Sequence, residues 1–143
     1  MLITRETDYA LRILRTLSQG GSFTAGDLVE KESLPQSFAY KILKKLEKSG
    51  MIQITRGSTG GCILKADLNT ISLYQLIEAV EVNSYLTACM KPEYNCEWRE
   101  KSGTTCNVHY QLDKVQKNID KELKSHSLYW VLFGDLEIKI NNI

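Results

Sequence analysis

The chain has 143 residues, 43% of them hydrophobic and 24% charged. That is the composition of one globular domain and excludes a disordered chain. No stretch approaches the ~18–20 consecutive apolar residues of a membrane span. The start, MLITRETDYALR, is charged by Arg5 and lacks an apolar signal region, so a cytoplasmic protein with no membrane partner is expected.

The net charge of +1 is unevenly placed. Residues 1–35 carry 4 basic and 5 acidic side chains, and residues 36–65 carry 6 and 1. Residues 66–105 carry 3 and 6, and residues 106–143 carry 5 and 5. A basic stretch beside a neutral or acidic body is the electrostatic footprint of a nucleic-acid reader, or simply a solvated helix face.

In chain order, residues 5–18 read as a helix, with Tyr9, Ala10, Ile13, Leu14 and Leu17 at helical spacing. Thr4 or Thr7 caps its start, and Gly20-Gly21 stops it. Residues 24–32 read as a short second helix opened by Thr24 and Asp27, with Leu28 and Val29 inward. Residues 35–48 read as a third, with Ser33 and Gln36 as its capping box and Pro35 in its first turn. Its apolar stripe is Phe38, Ala39, Ile42, Leu43 and Leu46. MIQIT (51–55) and CILK (62–65), separated by RGSTGG, read as a hairpin with a projecting tip. Residues 72–81 form a fourth helix capped by Ser72 and Gln75. Residues 86–106 show no clear period and read as a loop with at most one helical turn. A loop of that length is usually functional or disordered. Residues 107–125 read as a long helix on which Val108, Leu112, Val115 and Ile119 step by 4, 3 and 4, the seam of paired helices. The tail reads either as a hairpin turned at Gly134-Asp135 or as a helix end.

Three helices followed by a hairpin is the order of a winged helix-turn-helix, in which 35–48 is the recognition helix. Burial of its apolar stripe leaves Ser37, Tyr40 and Lys41 near the helix start, where base edges are met. Lys44, Lys45 and Lys48 lie further along, suited to phosphates. Arg56 opens the wing tip and is placed to reach a groove. Gly57, Gly60 and Gly61 are read as letting the tip's backbone approach DNA closely. Double-stranded DNA is therefore the expected partner.

Cysteines concentrate in the acidic third, as Cys89-x6-Cys96-x9-Cys106-x2-His109. Thiolates are soft anionic ligands suited to iron–sulfur clusters. Cys89, Cys96 and Cys106 supply three, and His109 or Asp8 supplies a fourth, with Glu6 a weaker acidic candidate. The long gap after Cys96 favours Asp8. Zinc held by the three thiols and His109, a regulatory disulfide, and plain packing thiols stand as alternatives. So does a nucleophilic cysteine paired with His109. No phosphate-cradling loop or third orienting residue accompanies that pair, so an enzyme is not expected. Cys62, in the wing strand, reads as a packing residue.

TDYALRIL, the helix LPQSFAYKILKKLEKSGMI and the wing ITRGSTGGCIL resemble the Rrf-two type of bacterial winged-helix regulators. That group includes the iron–sulfur cluster regulator and the nitric-oxide-sensing repressor. The likeness is close over residues 1–82 and looser to about 125; Cys62 stands where the family usually carries an aromatic. It implies a homodimeric repressor or activator on a pseudo-palindromic operator, with contacts at Ser37, Tyr40, Lys41 and Arg56. It also implies a two-iron or four-iron cluster on Cys89, Cys96 and Cys106, completed by His109 or Asp8.

The expected fold is mainly α with a small β wing. A winged helix-turn-helix (1–82) leads through a cysteine-bearing sensor loop (83–106) to a dimerisation helix and tail (107–143).

Overall fold

A computed structural model describes residues 3–134. Helix α1 (Arg5–Leu17) starts at Thr4, whose hydroxyl accepts the Glu6 N–H at 3.1 Å. This satisfies one of the donors that a helix start leaves orphaned. Its inner face buries Ala10, Ile13, Leu14 and Leu17. Helix α2 (Ala25–Glu32) opens with a reciprocal capping box: Asp27 N–H donates to the Thr24 hydroxyl at 3.1 Å, and Thr24 N–H donates to the Asp27 carboxylate at 2.7 Å.

Helix α3 (Gln36–Lys48) departs from the expected start. Ser33 closes α2 in the left-handed conformation (φ 51°), and Pro35 precedes α3 with no side-chain cap. The Ser33–Gln36 spacing imitates a capping box. Leu34, buried at 5% exposure between them, separates the two helices instead.

Strands β1 (Ile52–Thr55) and β2 (Gly61–Leu64) pair antiparallel, with Ile52 opposite Leu64 and Thr55 opposite Gly61. Phe23 adds a bridge on the outer side of β2: Cys62 N–H donates to its carbonyl at 2.7 Å, and its own N–H donates to the Cys62 carbonyl at 3.1 Å. This ties the wing to the segment between α1 and α2.

Helix α4 (Leu73–Val80) carries the expected Ser72–Gln75 capping box and buries Leu76, Ile77 and Val80. A single 3-10 turn (Ala88–Met90) and helix α5 (Glu97–Ser102) interrupt the cysteine segment, more order than one helical turn. Helix α6 (Asn107–Ser125) has the expected bounds and packs on α4. Helix α7 (Leu128–Phe133) follows at once. The hairpin read for the tail extends into 135–143, outside the described residues; the part before Gly134 is helical.

One core binds these pieces. Ile13, Leu14, Leu28, Ile42, Leu46 and Leu76 are each fully buried, and such a side chain contributes about 1.5–3 kcal/mol. Leu128, from beyond the long helix, joins the same cluster. Its N–H donates to the Ile71 carbonyl at 2.8 Å, and the Tyr129 N–H to that of Leu68 at 2.9 Å. The start of the tail is thus part of the head's core. The described architecture is the expected mainly helical fold with a two-stranded wing.

Candidate nucleic-acid interface

Helix α3 buries Ala39, Ile42, Leu43 and Leu46 and turns Ser37, Tyr40, Lys41, Lys44 and Lys48 outward. Tyr40 is half exposed, at 51%. Phe38 does not join the core as expected. It is 38% exposed and meets Tyr9 edge-on, with ring centroids 5.8 Å apart. It sits at the rim of the core, against the half-buried Tyr9.

Lys45 also departs from expectation. Its side chain is only 23% exposed, and its ammonium group contacts a Glu6 carboxylate oxygen and the Val80 carbonyl. It is a tether between α1, α3 and α4 rather than a solvated cation. Lys41 lies one turn earlier and donates to the other Glu6 oxygen at 2.5 Å, with 55% of its side chain exposed. Hydrogen bonds from Lys41, then Lys45, hold the Glu6 carboxyl below the usual carboxylate range. Glu6 is therefore engaged with α3. Nothing in its sequence neighbourhood signals this, because the contact spans 35 and 39 residues.

Arg56 and Gly57 lie exposed at the wing tip. Between wing and helix runs a cleft of about 560 Å³, bordered by Tyr40, Lys44, Arg56 and Gly57 with Leu43 in its wall. The wing glycines divide by role. Gly57 has φ 115°, a backbone that only glycine adopts readily. A β-carbon on Gly60 would lie 2.2 Å from the Thr55 carbonyl oxygen, and one on Gly61 would lie 2.2 Å from the Ser22 hydroxyl. Gly60 and Gly61 are thus required by the wing's own turn and by its bridge to Phe23. That gives them a reason inside the wing itself, beside the expected close approach to DNA. Glu47, not foreseen as a contact, accepts the Ile54 N–H at 3.3 Å and places a carboxylate beside the cleft.

In the cysteine segment, two of the three thiols meet the histidine. Cys106 caps α6, its sulfur accepting the His109 N–H at 3.4 Å. The His109 Nδ1 lies 3.5 Å from the Cys89 sulfur, which also contacts the Thr87 hydroxyl at 2.9 Å. Cys96 precedes α5, apart from that trio. The Arg99 backbone N–H, with the Arg99 side chain and the Trp98 N–H, holds its thiol below the usual value. Among the described residues no group of three or more His, Cys, Asp or Glu side chains converges on one metal position. Asp8, the favoured fourth ligand, instead pairs with Arg12 at 2.9 Å on α1, while His109 is the residue brought to the thiols. All four cysteines are free. Cys62 is 2% exposed, and burial, then the Glu47 charge, pushes its thiol up, as suits a packing residue.

No helix among the described residues is long and apolar enough to cross a membrane. Comparison with known proteins fits this arrangement. The chain is 30% identical over 145 aligned positions to the HTH-type transcriptional regulator IscR of Vibrio vulnificus, covering 99% of this chain and 83% of that one. It is 27% identical to IscR of Xenorhabdus nematophila over 131 positions, covering 90% and 77%. Its fold is similar to that of CymR, the global cysteine regulator of B. subtilis, with TM-score 0.65, 16% identity, and 92% and 96% of the two chains covered. It is also similar to T. potens IscR, with TM-score 0.60, 20% identity and coverage of 92% and 86%. The model of the Rrf2 family, described as iron-dependent transcriptional regulators, matches residues 3–133. The chain belongs to that family of DNA-binding transcription regulators.

Proposed function

We propose that this chain is a cytoplasmic, homodimeric regulator whose operator affinity is set by an iron–sulfur cluster on segment 83–106. The observation that carries the reading is at the start of α6, where the His109 imidazole meets the Cys89 sulfur and the His109 backbone N–H meets the Cys106 sulfur. The donor chemistry fits the group: the His109 imidazole lies beside the Cys89 thiol, Cys106 caps the same helix start, and Cys96 adds a third soft thiol whose ionisation is eased by its contacts with Arg99 and Trp98. Cys89, Cys96, Cys106 and His109 would hold the cluster, with Asp8 the alternative fourth ligand. Cluster nuclearity, two-iron or four-iron, is left to the iron count. When bound, the cluster supplies a redox- and nitric-oxide-sensitive centre.

The chain's own residues supply the rest. Gln116, 6% exposed on α6, accepts the Leu86 N–H at 2.8 Å and donates to the Ser84 carbonyl at 3.3 Å. This fixes the start of the cysteine segment to the long helix. Val108 and Val115 on that helix are 65% and 45% exposed, and Leu112 and Ile119 are half-buried. An apolar seam of that spacing suits a second copy of the chain. Pairing there sets two recognition helices on half-sites one helical turn, about 34–36 Å, apart. Ser37, Tyr40 and Arg56 then face base edges, and Lys41, with Lys44 and Lys48, faces phosphates. A ligand that favours one arrangement of segment and helix shifts the population that fits the operator.

The test is iron and sulfide analysis with visible absorption of protein purified without oxygen. About two irons or more per subunit, lost in Cys89→Ala, Cys96→Ala, Cys106→Ala and His109→Ala but kept in Asp8→Ala, supports the reading. Trace iron with intact fold promotes a metal-free thiol sensor. The lowered Cys96 thiol favours that second reading, since thiolate is the reactive form.

A further inference from the structure

The Glu6 carboxylate lies 15% exposed between two recognition-helix lysines. Lys45 is held from two sides, by Glu6 and by the Val80 carbonyl, and is largely covered. Lys41 has Glu6 as its ion-pair partner and is 55% exposed on the outward side of α3. Glu6 itself cannot drift far. The turn that carries it is pinned by Glu81, whose Oε1 accepts the Thr4 N–H at 3.0 Å, the Thr4 hydroxyl at 2.8 Å and the Thr7 hydroxyl at 2.5 Å.

The anion facing Lys41 is thus fixed to the protein, while the cation is long, flexible and solvent-facing. A phosphate brought against α3 offers Lys41 a second anion of the same chemistry. We infer that Glu6 is an internal competitor of the DNA phosphate: Lys41 leaves it on DNA binding, Lys45 stays behind as its counter-ion, and Glu6 thereby limits operator affinity. This rests on the reading of α3 as the DNA-facing helix.

The exchange has a signature that a purely structural ion pair lacks. Neutralising Glu6 removes the competitor without removing the phosphate contact, so affinity rises while the salt slope holds. Removing Lys41 removes the contact, so the slope falls.

The experiment measures binding of the full chain to a labelled duplex that the wild-type protein selects from a random-sequence pool, over a range of salt concentrations. Glu6→Gln should tighten binding by about two- to fivefold per subunit, the scale of an exposed ion pair. Lys41→Met should lower the slope of log affinity against log salt by about 0.9 per subunit. Adding Glu6→Gln to Lys41→Met should then change nothing, because the competitor no longer has a target.

Unchanged or weaker binding by a folded Glu6→Gln protein overturns the inference. So does equal tightening in both backgrounds, which marks a bulk charge effect. If Glu6→Gln unfolds, Lys41→Met still decides: an unchanged slope means that Lys41 never reaches phosphate. Lys44→Met separates the two levels. If it too leaves binding and slope unaltered, the reading of α3 itself fails; if it weakens binding while Glu6→Gln strengthens nothing, only the exchange fails.

Discussion

The winged head and the cysteine segment are built on different principles. From Thr4 to Glu81 the chain closes its helix starts with caps at Thr4, Thr24 and Ser72, and it buries an apolar face on each of its four helices. From residue 83 to 106 no residue is buried, and Tyr94 and Trp98 stand 44% and 54% exposed. The head is held by its own core. The cysteine segment is held by Gln116 at one end and the Cys106 cap at the other. A stretch with so little burial moves at small cost, which suits the sensing role proposed for it.

The largest effect that separates the two regions is on stability. Leu46→Ala, in the head's core, should cost about 2–5 kcal/mol in chemical denaturation, whereas Trp98→Ala should stay within about 0.5 kcal/mol. Similar costs would erase the distinction. Next comes pairing. Val115 is exposed in the single chain, so Val115→Asp should leave the melting of the fold nearly unchanged. It should weaken the dimer by about 3 kcal/mol or more, since a buried unpaired carboxylate costs more than a neutral polar group, read by sedimentation. A dimer of undiminished strength would move the interface off α6. Smaller in consequence is Arg56→Ala, expected to cost about 1–3 kcal/mol on the preferred site and to relax selectivity there. Unchanged selectivity would remove the wing from base reading.

The smallest effect concerns thiol ionisation. The Cys96 thiol is lowered, so in ligand-free protein it should alkylate at lower pH than an ordinary cysteine, because its thiolate is populated earlier as pH rises. Cys62 is raised by burial and should react last, or only on unfolding. Mass mapping of the modified peptides over pH checks the order.

How far these features were legible in the sequence depended on the range of the contact. The step of Val108, Leu112, Val115 and Ile119 set α6 to its observed bounds, since periodicity is a local signal. The Thr24–Asp27 and Ser72–Gln75 caps were legible for the same reason. Ser33–Gln36 has the same spacing and misled, because the buried Leu34 and the following Pro35 hold the chain extended between two helices. Lys41 and Lys45 both read as outward-facing cations of α3. Only the tertiary approach of Glu6 and the Val80 carbonyl separates a half-buried tether from an exposed cation. Gly60 and Gly61 looked like contact glycines, and their reason lies in Thr55, Ser22 and Phe23. In the cysteine segment the spacing named the thiols and His109, while Asp8 entered from its place on the first helix. The pairing of Asp8 with Arg12, and of His109 with Cys89, required coordinates.

In the proposed mechanism the state of the segment's thiols sets operator affinity. The direct measurement is the affinity of oxygen-free protein for its selected duplex before and after the iron is removed by a chelator. It is repeated with the Cys89→Ser, Cys96→Ser, Cys106→Ser triple variant. The expected result is iron in the wild-type protein, an affinity that changes by about 5- to 150-fold on its removal, the range of a coupling between two sites, and no change in the variant. Equal affinity with and without bound iron, or a variant that responds as the wild type does, would contradict it.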